Sequence, residues 1–209
     1  MKALFALMLT LILGCFGSLS AGEGGKPLPS PQMSGGEALF DVINKRSSGA
    51  AFTGAVDDQE LATILWAATG RNRNDGGWTV PMAMGRPPYV AIYVAGANGA
   101  FRYDWETHSL IQVSEYDVRT ELGMQDFAKV AYYNLVFVVD SATVNQLSRQ
   151  EAEILGGYAV GAMTQHIYLA CAALGVKGRF IMSVNKEPAR AALNLGKDKY
   201  VACIMTLGK

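Results

Sequence analysis

One long helix constrains this chain more than any other feature. Ser148, with Glu151 three residues on, is a capping box that opens it. The helical pattern runs to about residue 173, and Gly175 supplies the stop. About 25 residues at ~1.5 Å each make a rod of roughly 38 Å, longer than a small domain is wide. The shorter elements on either side must be arranged along it.

Those elements are β-rich runs and short helices in alternation. Residues 89–95 are nearly continuous in apolar character, as in a buried strand. Residues 100–103 and 110–113 are two short strands of a hairpin, with 104–109 as the connection. Residues 135–139 form a core strand, and 179–182 and 200–207 are further strands. Residues 34–37 have the residue types of a capping box, opening a helix with Leu39, Val42 and Ile43 on one face. Residues 57–60 open a second helix with Leu61, Ile64, Leu65 and Ala68 on one stripe and Gly70 as its stop. Shorter helical stretches fall at 117–122, 125–131 and 187–193, and 71–77 is a polar loop. The expected class is α+β, with a mixed central sheet flanked by helices.

Residues 1–21 predict a signal peptide: Lys2, an apolar run from Ala3 to Leu13, then small residues with cleavage after Ser20 or Ala21. The alternative is a lipoprotein signal ending before Cys15, which would place the protein at a membrane. Either reading sends the protein out of the cytoplasm, to the periplasm or cell envelope. Residues 22–33 carry three prolines and no apolar period, so they predict a linker or surface arm, and 34–209 the folded domain. Half the residues are apolar, 17% are charged and the formal net charge is zero. That balance suits one sizeable core and gives no electrostatic reason to expect nucleic acid.

Few residues carry chemistry. Cys171 and Cys203 sit in apolar segments and predict buried thiols, with a disulfide left open. His108 and His166 have no metal-ligand neighbours at ligand spacing, and no Ser/His/Asp arrangement argues for hydrolysis. Arg46-Ser47-Ser48 is the exception. One guanidinium beside two hydroxyls, between a helix end and a Gly/Ala turn, suits a phosphate. The plainer alternative is a helix-end cation followed by turn hydroxyls.

Arg46-Ser47-Ser48 with Phe52 resembles the Arg-x-Ser-x-Arg-x-Phe signature of the FMN-dependent nitroreductases. Leu65-Trp66-Ala67-Ala68-Thr69-Gly70 with Asn72-Arg73 resembles that family's Leu-Trp-Ala-Ala-Asn-Gly-x-Asn-Arg run. Thr79, Pro81 and Ala83 resemble its Arg-Thr-Ala-Pro-Ser-Ala, and Gly161 with Gln165-His166-Ile167-Tyr168-Leu169 its Gly-x-x-x-Gln-Asn-x-Tyr-Leu helix. Within the family the chain is most similar to exported members of SagB-dehydrogenase type.

The resemblance implies an intertwined homodimer with FMN at the interface. It also implies electron transfer from a donor such as NAD(P)H, through the flavin, to a small organic acceptor. Arg46, Ser47 and Ser48 would be the cofactor-binding residues. The chain departs from the pattern where Ala50 replaces the second arginine, Trp78 the arginine before Thr79, Met82 a serine, Gly85 an asparagine and Met182 a glycine. These losses keep a second reading open: a cofactor-poor relative that works as a binding or structural module.

Overall fold

The computed structural model describes residues 25–82 and 88–209. The signal segment, Cys15, Ala83 and Gly85 lie outside the described residues.

The central strand explains the sheet. Strand β5 (Tyr133–Asp140) is apolar on both faces. Leu135, Phe137 and Val139 enter one core cluster, while Val136 and Val138 enter the other. A strand with both faces covered needs no polar alternation, which is why its sequence is a continuous apolar run. It pairs on one side with β2 (Val90–Gly96) and on the other with β7 (Lys199–Gly208). From β2 the sheet continues through β3 (Gly99–Asp104) and β4 (Ser109–Ser114) to β1 (Lys26–Pro27). Beyond β7 lies β6 (Lys177–Ile181), so the order is β1-β4-β3-β2-β5-β7-β6. Each of these pairings is antiparallel, where the sequence suggested a mixed sheet.

The long helix α5 (Arg149–Leu174) lies on one face. Ser148 and Glu151 form the reciprocal capping box, and Gly175 closes the helix in the left-handed region at φ 70°. Helix α2 (Asp58–Thr69) packs beside it, with Leu61, Ile64, Leu65 and Ala68 buried. The Asp57–Glu60 capping box is formed as well. The other face is covered by α3 (Arg119–Leu122), α4 (Asp126–Lys129) and α6 (Lys186–Ala192), which supply Leu122, Ala128 and Ala189 to the second cluster.

Helix α1 departs from expectation. It spans Leu39–Lys45, and its N-cap is Ala38 with no side-chain cap. Gly35 and Gly36 adopt φ of 76° and 89°, which breaks the helical turn that a box at 34–37 needs. Glu37 pairs with Lys45 instead. Of the expected apolar face only Val42 is buried; Leu39 is 60% exposed and Ile43 48%.

The proline-bearing arm is docked along the domain. Lys26 and Pro27 pair with Leu110 and Ser109, Leu28 is buried, and Gln32 N–H donates to Thr63 Oγ1 at 3.0 Å. His108 Nε2 lies 2.9 Å from the Pro29 carbonyl, and its Nδ1 lies 2.8 Å from the Tyr103 hydroxyl. A carbonyl only accepts, so Nε2 carries the proton and Nδ1 of the neutral ring accepts from Tyr103.

Candidate functional site

The segment after α1 is held against the outer strand by backbone. Gly49 N–H donates to the Gly178 carbonyl at 2.9 Å. Gly49 is required by closeness rather than by conformation: a Cβ there would lie 2.8 Å from Lys177 Cβ and 2.7 Å from Phe52 Cε1. This contact turns the chain so that Ser47 and Ser48 line a cavity of about 350 Å³, together with Ala50, Tyr168, Cys171 and Lys177.

Arg46 does not line that cavity. Its guanidinium lies over the Tyr168 ring, 5.3 Å from the centroid, and has no carboxylate at ion-pair distance among the described residues. Arg46 and Ser48 therefore both meet Tyr168, the guanidinium on its ring face and the hydroxyl at its oxygen, while Ser47 lines the same cavity as Ser48. Tyr168 itself is the residue that sequence reasoning left without a role. Its hydroxyl accepts the Phe180 N–H at 2.9 Å and lies 3.1 Å from Ser48 Oγ. The signal that could have found it is its place in α5, seven residues past Gly161 on the same stripe.

The electrostatics of the cavity come from side chains. Helix α5 ends beside it at Leu174, so the helix presents its carbonyl end, which repels an anion. Lys177 offsets this, with no carboxylate partner among the described residues, while Lys45 is already paired with Glu37. Ala50 contributes no charge where an arginine would have added one. Lys209 does not reach over: its Nζ is 2.7 Å from Glu60 Oε1, and its backbone exchanges two bonds with Gly54.

Cys171 and Cys203 are buried free thiols. Burial raises the Cys171 pKa strongly and pushes Cys203 up to about 12, so neither is a nucleophile at neutral pH.

A second cavity, of about 400 Å³, lies further along α5 and β6. Gly157, Gly161, Phe180 and Met182 line it, with Arg190 and Tyr200 at one side. Gly157 and Gly161 face open space and Met182 is 68% exposed, while Arg149, Glu153, Lys186, Glu187 and Arg190 bring charge to the same cavity. Gly161 and Tyr168 are seven residues apart, about 10 Å along the helix.

The departing positions 78 and 82 do not widen either cavity. Met82 is part of the core. Trp78 meets Trp105 edge to face at 4.4 Å, with the Arg71 guanidinium 5.2 Å from each ring. His166 Nδ1 lies 3.0 Å from the Ala67 carbonyl and acts as a structural tie. No group of His, Cys, Asp or Glu among the described residues could hold a metal ion.

The model of the Nitroreductase family matches residues 51–209. The chain belongs to the nitroreductase family. The match begins just past Ser48, so it covers α2, α5 and every strand of the sheet but β1, and not the Arg46–Ser48 segment. A solved structure from Ralstonia eutropha JMP134, assigned as a nitroreductase, is similar at 29% identity over 90% of this chain and 95% of that one, with a TM-score of 0.81. The NADPH:FMN oxidoreductase of Vibrio harveyi, solved with NAD+, shares the fold at 22% identity and a TM-score of 0.59, over 81% of this chain and 67% of that one. The microcin synthetase McbBCD complex of E. coli contains a chain of the same fold at 13% identity, with a TM-score of 0.70 over 98% of this chain and 84% of that one. No curated protein matches the sequence.

Members of the nitroreductase family are flavin oxidoreductases. For a flavin mononucleotide, the donor set at the Tyr168 end of this family member fits. Ser47, Ser48 and Lys177 line the cavity and Arg46 lies on the adjoining Tyr168 ring, neither cation paired with a carboxylate among the described residues, and these donor types match a phosphate monoester.

Proposed function

We propose that this nitroreductase is an exported, homodimeric oxidoreductase that binds FMN and passes electrons from a reduced donor such as NAD(P)H to a small organic acceptor. The observation that carries the reading is Arg46, whose guanidinium has no carboxylate partner among the described residues and lies on the ring of Tyr168, the residue whose hydroxyl is 3.1 Å from Ser48 Oγ. In this reading Arg46, Ser47 and Ser48 hold the phosphate and ribityl end. The wall formed by Gly157, Gly161, Phe180 and Met182 receives the planar ring. When bound, the cofactor supplies hydride and electron transfer; the protein supplies position and electrostatics.

Dimerisation is supported by apolar surface that the single chain leaves open. Leu39, Phe40 and Ile43 on α1, and Ile154 and Tyr158 on α5, are exposed, and Gly157 and Gly161 on α5 face open space, which permits a close helix approach. Export rests on the charge, apolar run and small residues of 1–21, with Cys15 as the lipid-bearing alternative.

One observation favours the second reading, a binding or structural module without catalysis. Ala50 and the Lys209–Glu60 pair leave Arg46 and Lys177, among the described residues, as the cations near this segment without a carboxylate partner. Purified protein is incubated with FMN, desalted and then mixed with NADH or NADPH without oxygen. Retained absorbance near ~450 nm that bleaches on adding the nucleotide supports the oxidoreductase. A protein that emerges colourless supports the module.

A further inference from the structure

The two ends of the candidate site meet at one side chain. Helix α1 is short and buries only Val42, so it cannot itself fix residues 46–48 beyond its end. Backbone fixes Gly49 to β6 and holds the Arg46 N–H on the Val42 carbonyl at 2.9 Å, but the Arg46 guanidinium and the Ser48 hydroxyl are left to be placed by side chains. Tyr168 engages both. The flat of its ring lies under the Arg46 guanidinium, a cation–π contact that holds the charge without neutralising it. Its hydroxyl oxygen accepts the Phe180 N–H from the outer edge of β6, which leaves the tyrosine proton free to go to Ser48 Oγ. With Ser48 accepting, its own proton is turned outward, as a donor to an anion.

We infer that Tyr168 is a positioning residue for the anion-binding segment: it orders Arg46 and Ser48 as a pair of donors for the phosphate of the flavin nucleotide. This rests on the FMN reading above and extends it. The arrangement also accounts for how one arginine serves where the family pattern has two. A guanidinium stacked on a ring has less side-chain freedom to lose on binding, so each hydrogen bond it makes is offset by less entropy. Tyr168 sits on α5, the most extensively anchored helix of the fold, so the phosphate end inherits the rigidity of that helix rather than the looseness of α1.

The test compares the full mature chain with Tyr168→Phe, which keeps the ring and removes the hydroxyl. FMN and riboflavin, which differ in the phosphate, are titrated by flavin fluorescence quenching. Amide hydrogen exchange is followed in the protein without flavin. The expected result is FMN binding weakened about three- to tenfold with riboflavin binding unchanged, the loss appropriate to one hydrogen bond. Exchange should quicken at residues 46–48 and at Phe180, but not in the arm at 26–32. A Ser48→Ala, Tyr168→Phe double variant should bind FMN no more weakly than Ser48→Ala alone.

Equal loss of FMN and riboflavin would mean a general structural role and would overturn the inference. So would additive losses in the double variant, or unaltered exchange at 46–48. If the wild type binds neither flavin, the flavin reading fails by itself, and exchange then decides the role of Tyr168. Quickened exchange confined to 46–48 and Phe180 upholds its positioning role, and unchanged exchange removes it.

Discussion

The Gly49 N–H donates to the Gly178 carbonyl at 2.9 Å, and this backbone bond ties the Arg46–Ser48 segment to β6. At both partners an added Cβ would meet a neighbouring side chain, though the flexible Met205 end beside Gly178 yields more readily than Lys177 Cβ and the Phe52 ring beside Gly49. A Cβ on Gly178 would lie 2.6 Å from Met205 Cε, and one on Gly49 would press on Phe52 and Lys177. Gly49→Ala should therefore destabilise the protein by about 1–3 kcal/mol, the usual cost of overpacking. Urea denaturation measures this, and a variant as stable as the wild type would mean that the segment is free to move away.

Arg46→Ala should lower FMN affinity by about 10- to 100-fold, the loss of about 1.5–3 kcal/mol from a charge-assisted contact. Folding stability should hardly change, because the guanidinium makes no ion pair among the described residues. Parallel flavin titration and thermal melting separate the two effects. A variant with unchanged affinity would remove Arg46 from the site.

How far the sequence foretold these features depends on how local each one is. The ends of α2 and α5 were legible because a capping box and a terminal glycine act within a few residues. The box at 34–37 had the right residue types, yet Gly35 and Gly36 take positive φ there and Glu37 turns to Lys45. Strand β1 was not legible, since Lys26 and Pro27 become a strand only by pairing with Leu110 and Ser109. The donors Arg46, Ser47 and Ser48 were recognisable by chemistry. Tyr168, 120 residues from Ser48, was visible only as a helical residue, because nothing in its own neighbourhood records a contact across the fold.

His108 ties the arm to the domain as a neutral ring, and burial holds its pKa below the ordinary value, with the Pro29 hydrogen bond opposing in part. The unfolded chain thus takes up a proton at higher pH than the folded one. Stability that is fully present above the unfolded pKa of about 6.5 is lost as pH falls through it toward the folded value. The melting temperature should fall between about pH 7 and pH 5, and His108→Gln should flatten that part of the profile. An equally steep fall in the variant would assign the dependence to other groups.

Glu60 serves two structures at once. Its Oε2 accepts the Asp57 N–H at 3.0 Å as the second half of the α2 cap, and Oε1 holds Lys209 at 2.7 Å. Glu60→Ala should cost about 1–2 kcal/mol in denaturant unfolding, and Glu60→Gln less, since it keeps an acceptor for the cap. If the two variants were equally unstable, the ion pair with Lys209 would outweigh the cap.

Recognition of a flavin-nucleotide phosphate by Arg46, Ser47 and Ser48 underlies the proposed function. It is read most directly from the ratio of FMN to riboflavin affinity in the wild-type protein, by fluorescence quenching under one buffer condition. FMN should bind tighter by at least about tenfold, the contribution of one charge-assisted contact. Equal affinity for the two flavins, or tighter binding of riboflavin, would contradict a phosphate site at this segment.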